Sequence, residues 1–511
     1  MSSTSLSAAP AAARSALPGV TAIAGVTGLI LTMRAGRYDY FGDELYFLAA
    51  GRHLAPSFVD QGPLVPLIAR AIDLLPTESL LVLRFPAIVC AVAAIVCTAA
   101  IARELGGDRR AQLWAAAAYA SCPFLITQSA TLSTFALDSV LCAVLIWALI
   151  RWTRTRQDRW LLCAAAVLAV DIQVKLLVGV VVVGLFAGVI TTGPRELLKR
   201  PALWVGGIAV AVTALPGLWW QYRHGWPQLA MGAVIRAEQG AATGGTSGLP
   251  LQIGLSAGVL GAILAGFGLW MLVSDKAFGQ YRFVVTGGAF LLAFVVVAGG
   301  RPYYLAGLFP VLFAAGAVAI TRLPAVLVRR ACAAALTVSV VIAVLVVTAL
   351  PRPASSRQDP TETSAELSTR LRMYGTEGWQ ELASTVGEVY RSLPVTDRAA
   401  VAIIAENYWQ AAALEVVGSA ELPPVFSPNR GYADFGMPGA EVSTVLSATT
   451  GATEPALHHE MSTCTPMTHR NDDDGFPGID RHLTVWRCDH PQRPWTDIWP
   501  RLTTLTLDPG L

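Results

Sequence analysis

The stretch Tyr38-Asp39-Tyr40-Phe41-Gly42-Asp43-Glu44-Leu45-Tyr46-Phe47 follows directly on a first hydrophobic run, residues 17–33. An acidic pair among tyrosines at the end of such a run is costly to dehydrate. Ionisable residues at a membrane boundary usually mark a substrate path or a reaction site. The structural alternative is a solvated loop end. After a short amphipathic run comes Phe58-Val59-Asp60-Gln61-Gly62-Pro63-Leu64-Val65-Pro66-Leu67, a second acid set among apolar residues.

Outward from that loop, the chain reads as a polytopic α-helical membrane protein. Of its 511 residues 54% are hydrophobic and only 14% charged, too apolar for a soluble protein of this size. Apolar runs near 17–35, 85–102, 112–127, 135–151, 160–171, 175–191, 201–219, 250–273, 282–299, 303–320 and 330–349 predict about 11 spans. Basic residues then fall in every second connection. Arg103, Arg109 and Arg110 come first, then Arg151, Arg154, Arg156 and Arg159, then Arg195, Lys199 and Arg200. Lys276 with Arg282 and Arg322 with Arg329 and Arg330 complete the series. That side is expected to be cytoplasmic. The first run has the length of a signal-peptide core; an uncleaved span is expected, because the acidic loop must stay tethered.

The run 160–190 is too long for one crossing and too short for two full ones, and both flanks are basic. A hairpin of two short helices is expected, turning at Asp171-Ile172-Gln173-Val174-Lys175. Irregular backbone at that depth needs cover from protein or a water-filled cavity. Asp171 and Lys175 are therefore expected against an outward-facing cavity.

Four segments follow. Residues 1–16 form a disordered cytoplasmic N-terminus, 17–350 the membrane module, 351–360 a Pro/Ser/Arg linker, and 361–511 a small α/β domain. In the last, 378–393 and 407–417 look helical, while 399–406 and 482–488 look like strands. Eleven crossings place this domain outside the cytoplasmic membrane. Six of the eight cysteines lie in apolar runs and read as small hydrophobes. Cys464 and Cys488 sit alone in the polar tail, and in an oxidising compartment they are expected to form a disulfide. A net charge of +2 without a basic cluster speaks against a nucleic-acid partner. The Ala/Gly/Arg/Pro-rich usage suggests a GC-rich bacterial genome, and lysine occurs only at 175, 199 and 276, so arginine carries nearly all the positive charge.

The candidate chemistry is acid–base work near phosphate. Asp43 is a candidate base, or else the cap of a helix starting at Glu44. Asp138, in Ser133-Thr134-Phe135-Ala136-Leu137-Asp138-Ser139, is a second acid in the first turn of a membrane helix, or else a helix-dipole contact. Lys175 is the one lysine outside the cytoplasmic flanks. It suits a phosphate, or else a pair with Asp171. Arg301 and Tyr304, in Gly299-Gly300-Arg301-Pro302-Tyr303-Tyr304-Leu305, offer a forked cation and a hydroxyl, or else an interfacial belt. His224 lies in the tryptophan-rich loop 218–227; it is a solvated loop residue, or holds a divalent metal with Asp60 or Glu44.

The loop motifs, in their order and placement, resemble the first external loop of GT-C fold glycosyltransferases of family 39, the protein mannosyltransferases and aminoarabinose transferases. Asp43 resembles the leading aspartate of that family's Asp-Glu motif, and Asp138 falls where the family has a further acid. The family carries a lysine where Lys175 stands. Arg301 to Tyr304 resembles its basic-Pro-aromatic-Tyr signature at the donor phosphate. The tail segments Glu406-Asn407-Tyr408-Trp409-Gln410-Ala411-Ala412-Ala413-Leu414 and Leu422-Pro423-Pro424-Val425-Phe426-Ser427 look like segments of bacterial members.

The resemblance implies an inverting hexosyl- or pentosyltransferase acting at the outer face of the cytoplasmic membrane. Its donor is a polyprenyl-phosphate sugar. Its acceptor is a lipid, a glycan, a protein or an exported small molecule. No cofactor is required, with a divalent metal as an option. Asp43 and Asp138 would be catalytic, Lys175, Arg301 and Tyr304 would hold the donor phosphate, and Glu44, Tyr46, Asp60 and Arg236 would orient substrate or loop. One departure is Gln61-Gly62-Pro63-Leu64, where the family often has Lys or His before Pro-Pro-Leu. That leaves more of the phosphate work to Lys175 and Arg301. Competing classes are a transporter or lipid flippase, and a membrane-anchored binding module in which the tail does the work.

Overall fold

The architecture is that of a computed structural model, which describes residues 15–76, 79–324, 326–353, 356–357, 361–451 and 455–507. The reading of 1–16 as disordered falls almost wholly outside the described residues, as does half of the linker 351–360. The chain divides into two compact units. The first comprises Met1–Ala35, Leu81–Gly225 and Gly244–Leu350; the second comprises Gly36–Leu80, Trp226–Thr243 and Pro351–Leu511. The acidic loop thus belongs to the same unit as the tail.

The first unit is helical. Among the described residues, eight helices are long and apolar enough to cross a membrane: Leu17–Arg34, Leu80–Glu104, Thr134–Thr155, Pro201–Arg223, Gly245–Ser274, Lys276–Ala298, Pro302–Arg322 and Val326–Ala349. The chain is a multi-pass membrane protein. The other three expected spans fall on shorter helices, so the count of about 11 is not confirmed. The run expected at 112–127 breaks into Arg109–Ala120 and Pro123–Gln128, because Pro123 has no amide to continue the ladder. The run 160–190 forms the expected hairpin, Arg159–Asp171 and Val178–Thr191, turning where the Asp171 carbonyl accepts the amides of Val174 and Lys175.

Burial sorts these helices. Thr134–Thr155 and Pro302–Arg322 are 72% and 83% buried and form the centre, whereas Pro201–Arg223 and Val326–Ala349 are each 17% buried and lie at the rim. Helices Leu249–Ser274 and Phe309–Arg322 approach closely through Gly268 and Gly316: a Cβ on either would strike the other helix's backbone. Small residues at such contacts are how helices pack when lipid offers no hydrophobic driving force between them.

The basic connections meet at one end of this unit. Glu104 is clamped by Arg151 at 2.5 Å and Arg154 at 2.6 Å, Arg156 pairs with Glu196 at 3.0 Å, and Arg322 lies over the Phe278 ring. Four of the basic residues that the sequence groups on one side, Arg151, Arg154, Arg156 and Arg322, are thus engaged by acids or rings of this unit.

The second unit carries a five-stranded sheet: β1 (Val401–Ala405), β2 (Val425–Phe426), β3 (Thr444–Thr449), β4 (Met461–His469) and β5 (Thr484–Pro491), in the order β2-β1-β3-β5-β4. β1 is parallel to β2 and β3, and β5 is antiparallel to β3 and β4. The expected helices appear as Trp379–Ser392 and Tyr408–Val416, and the expected strands as β1 and β5. Asn407 caps the second helix through the Gln410 amide at 3.0 Å. β2, β3 and β4 were not expected: β2 is only two residues long, and β4 is polar and mostly exposed, so it lacks the alternation that marks a half-buried strand. Cys464 and Cys488 are direct cross-strand partners and form the expected disulfide.

Candidate active site

In the second unit, the acidic loop becomes helix Gly42–Arg52. Its cap is not Asp43. The fully buried Glu44 accepts the Phe41 amide at 3.0 Å, the reach-back half of a capping box. Asp43 is thereby released from the capping role weighed for it. Its Oδ1 accepts two hydrogen bonds from the tail, one from the Tyr408 hydroxyl at 2.9 Å and one from Trp409 Nε1 at 3.0 Å. Its Oδ2 accepts none from a described residue, and the side chain is only half-buried. A carboxylate with one oxygen anchored and the other open is the geometry of a general base.

Behind this pair stands a charged chain. Arg430 Nη1 donates to the Tyr408 hydroxyl at 3.4 Å, and Arg430 ion-pairs with Glu238 on helix Pro227–Thr243. Arg430 holds a left-handed backbone, φ 49°, anchored by its amide on the Thr504 carbonyl at 2.7 Å. Such strain in a non-glycine residue gathers at functional sites. Burial pushes the Tyr408 phenol well above its usual range, with the Asp43 carboxylate adding to it, so Tyr408 remains a donor throughout the physiological range. Sequence reasoning noted the segment around Tyr408 and Trp409 but assigned it no role, and Arg430 carried no signal at all. These residues lie more than 360 positions from Asp43.

Tyr46 packs T-shaped on Tyr408 at 5.2 Å and stacks on Phe435 at 5.9 Å. Burial, then the Asp60 charge, push its phenol up. The Tyr46 hydroxyl and both ends of the Gln61 amide are buried without a hydrogen-bond partner among the described residues. The loop backbone around Gln61 is held by Gln228 Nε2, which donates to the carbonyls of Phe58 at 3.0 Å and Gln61 at 3.1 Å. Arg236 lies on the same helix as Gln228 and Glu238.

In the first unit, four of the expected residues converge. Helix Thr134–Thr155 is capped by Ser133, which accepts the Phe135 amide at 3.1 Å. That start puts Asp138 in the second turn, not the first. Phe135, Asp138 and Cys142 share one helix face. The Phe135 ring packs on Tyr303 at 4.5 Å and on Tyr304 at 5.8 Å. Lys175 Nζ sits 4.0 Å above Phe135 and 5.1 Å from the Tyr304 ring, a cation–π cradle. Arg301 Nη1 donates to the Tyr303 hydroxyl at 2.6 Å. Asp171 is fully buried, with Cys142 Sγ 3.7 Å from its Oδ2. It does not face an open cavity as expected, because its carboxylate is packed in the helical interior against Cys142.

A divalent metal at His224 with Asp60 or Glu44 is poorly served by these residues. His224 stacks on Trp220 at 3.9 Å, with Nδ1 2.8 Å from that residue's carbonyl. Glu44 is committed to its helix cap. Among the described residues, the groupings of metal-type ligands are Asp138, Cys142 and Asp171, and His458 with the disulfide cysteines; neither includes the three residues first considered.

Residues 60–220 match the family model of dolichyl-phosphate-mannose-protein mannosyltransferases. The structure is similar to ArnT from Cupriavidus metallidurans in the apo state, with TM-score 0.60 at 13% identity, covering 93% of this chain and 98% of that one. The chain has the GT-C fold. The resemblance drawn from its loop motifs is borne out at that level. ArnT bound to undecaprenyl phosphate gives TM-score 0.57 at 12% identity over 93% and 98% of the two chains. The arabinofuranosyltransferase AftD from Mycobacteria gives 0.51 at 17% identity, covering 94% of this chain and 40% of that one. Comparison with curated protein sequences gives no match. The matched family segment includes Asp60, Asp138 and Lys175, residues assigned to the two units separately.

Proposed function

We propose that this GT-C chain is an inverting glycosyltransferase. It moves a sugar from a polyprenyl-phosphate donor to an acceptor at the outer face of the cytoplasmic membrane. The observation that carries the reading is the mannosyltransferase family match over residues 60–220. The fold agrees with it, and so does the half-anchored carboxylate of Asp43. The ArnT neighbour bound to undecaprenyl phosphate supplies the donor class.

The acceptor oxygen or nitrogen forms a bond to the anomeric carbon while the bond from that carbon to the phosphate oxygen breaks. The electron pair leaves with the polyprenyl phosphate. The acceptor proton passes to the open oxygen of Asp43. One displacement inverts the anomeric centre. Lys175, Arg301 and the Tyr304 hydroxyl answer the charge that develops on the phosphate. Asp138 is the second acid of the reaction, and Glu44, Tyr46, Asp60 and Arg236 orient loop or substrate. No step is assigned to a metal.

A transporter or flippase would also use intramembrane charge, but the family match over residues 60–220 favours sugar transfer. Turnover of radiolabelled polyprenyl-phosphate sugars in membranes, wild type against Asp43→Asn, tests the reading. A loss of at least roughly 10²-fold is expected on removing a general base. Equal turnover by both proteins would sink it. Sidedness is read by an impermeant thiol reagent on intact cells: cysteines at Ala130 and Gly240 should react, those at Arg109 and Gln157 should not.

A further inference from the structure

The proposed base is held by residues that lie in the C-terminal segment. Asp43 Oδ1 is the acceptor for both Tyr408 and Trp409, at 2.9 and 3.0 Å. These neighbours on helix Tyr408–Val416 are aimed by the Asn407 cap, which fixes the helix start. Trp409 is in turn set by ring contacts with Phe41 at 5.4 Å and Trp379 at 6.5 Å. Trp379 Nε1 and the Thr376 hydroxyl both donate to the Tyr40 carbonyl, at 2.8 and 2.6 Å. The backbone before Asp43 is therefore tied to the same segment as its side chain. Gly42 has no room for a Cβ, because one would run into the Trp409 ring. Arg430 polarises the Tyr408 hydroxyl from behind, and Glu238 balances Arg430.

We infer that Tyr408 and Trp409 are positioning residues for Asp43: they fix one carboxylate oxygen, leaving the other oxygen for the acceptor proton. The inference rests on the reading of Asp43 as base. It makes residues 401–435 part of the reaction centre and not an appended binding module. Removing either donor weakens the anchor on Oδ1 and lets the carboxylate turn away from the acceptor.

The test is steady-state turnover of a radiolabelled polyprenyl-phosphate sugar by the full-length protein in membranes. Trp409→Phe keeps a ring and removes the N–H; Tyr408→Phe keeps a ring and removes the O–H. Each should lower kcat roughly tenfold, as expected for losing a hydrogen bond to a charged group, while the donor KM stays near that of the wild type. In an Asp43→Asn background the same exchanges should cost nothing further, because the base that they hold is gone. If one variant fails to fold, the other carries the test, since each removes one donor. An unchanged kcat in a folded variant, or an equal loss in the Asp43→Asn background, overturns the inference, even when Asp43→Asn is inactive and the base reading stands. An active Asp43→Asn overturns the base reading itself, whatever the two variants do.

Discussion

Glu104 Oε2 accepts a hydrogen bond from Arg154 Nε at 2.6 Å, and its other oxygen takes Arg151 at 2.5 Å. One buried carboxylate joins the end of helix Leu80–Glu104 to the end of helix Thr134–Thr155, the long span at the centre of the first unit. Breaking a buried pair from one side leaves charge uncompensated, at a cost of about 3–5 kcal/mol. Glu104→Ala should lower the thermal unfolding temperature in detergent markedly. Arg156→Ala, which removes an exposed pair to Glu196, should shift it little, since such pairs contribute roughly 0–1 kcal/mol. Equal shifts would contradict this ranking.

The base and the cations of the proposed reaction should fail differently. A base acts on the acceptor proton, so Asp43→Asn should depress turnover while donor affinity stays near normal. A phosphate-binding cation acts in ground and transition states alike. Lys175→Ala and Arg301→Ala should therefore raise the donor concentration needed as well as slow the reaction. Steady-state kinetics against donor concentration decides between these patterns.

Gln61 stands where the family often has a cation, and both ends of its amide are buried without a partner among the described residues. An unsatisfied buried polar group costs about 1–3 kcal/mol. Gln61→Met keeps the length and removes the unmet polar atoms, so the melting temperature should hold or rise. A fall would show that the amide is satisfied in solution.

The Cys464–Cys488 bridge closes a loop with a sequence separation of 24. On the loop-entropy model it stabilises the folded chain by about 3 kcal/mol. The paired Cys→Ser exchange should lower the denaturant midpoint accordingly. Under non-reducing denaturation neither thiol should alkylate.

Burial pushes the Asp480 carboxyl up to about 6, although the Phe476 amide, donating to it at 2.6 Å, pulls the other way. The folded state therefore binds a proton more tightly than the unfolded chain. The resulting stability is full below roughly pH 4 and is lost as pH rises through about 6. Asp480→Asn should stabilise the protein by about 3 kcal/mol at pH 7 and change little at pH 4, read by thermal unfolding of the full chain at the two pH values.

Much of the fold was legible because hydrophobic runs and arginine placement are local signals with a direct physical cause in the bilayer. The hairpin at Asp171 to Lys175 followed from length and flanking charge alone. The break before Pro123 was signalled by proline but masked by the run's overall apolarity. The site was legible in part. Asp138, Lys175, Arg301 and Tyr304 were singled out one by one, and the structure gathers them around Phe135, Tyr303 and Tyr304. Asp43 was singled out too, but its capping alternative fell only when Glu44 was seen to cap the helix.

By itself the sequence determined a multi-pass helical chain, a small α/β tail, a disulfide and the acids and cations worth testing. Each follows from residue type and spacing along one segment. Tertiary structure alone decided that the loop 36–80 packs with the tail, that Tyr408 and Trp409 hold Asp43, and that Arg430 and Glu238 stand behind them. Hydrogen bonds between groups hundreds of residues apart leave no periodicity in either segment. They exist only once the backbone has brought both donors to one carboxylate oxygen.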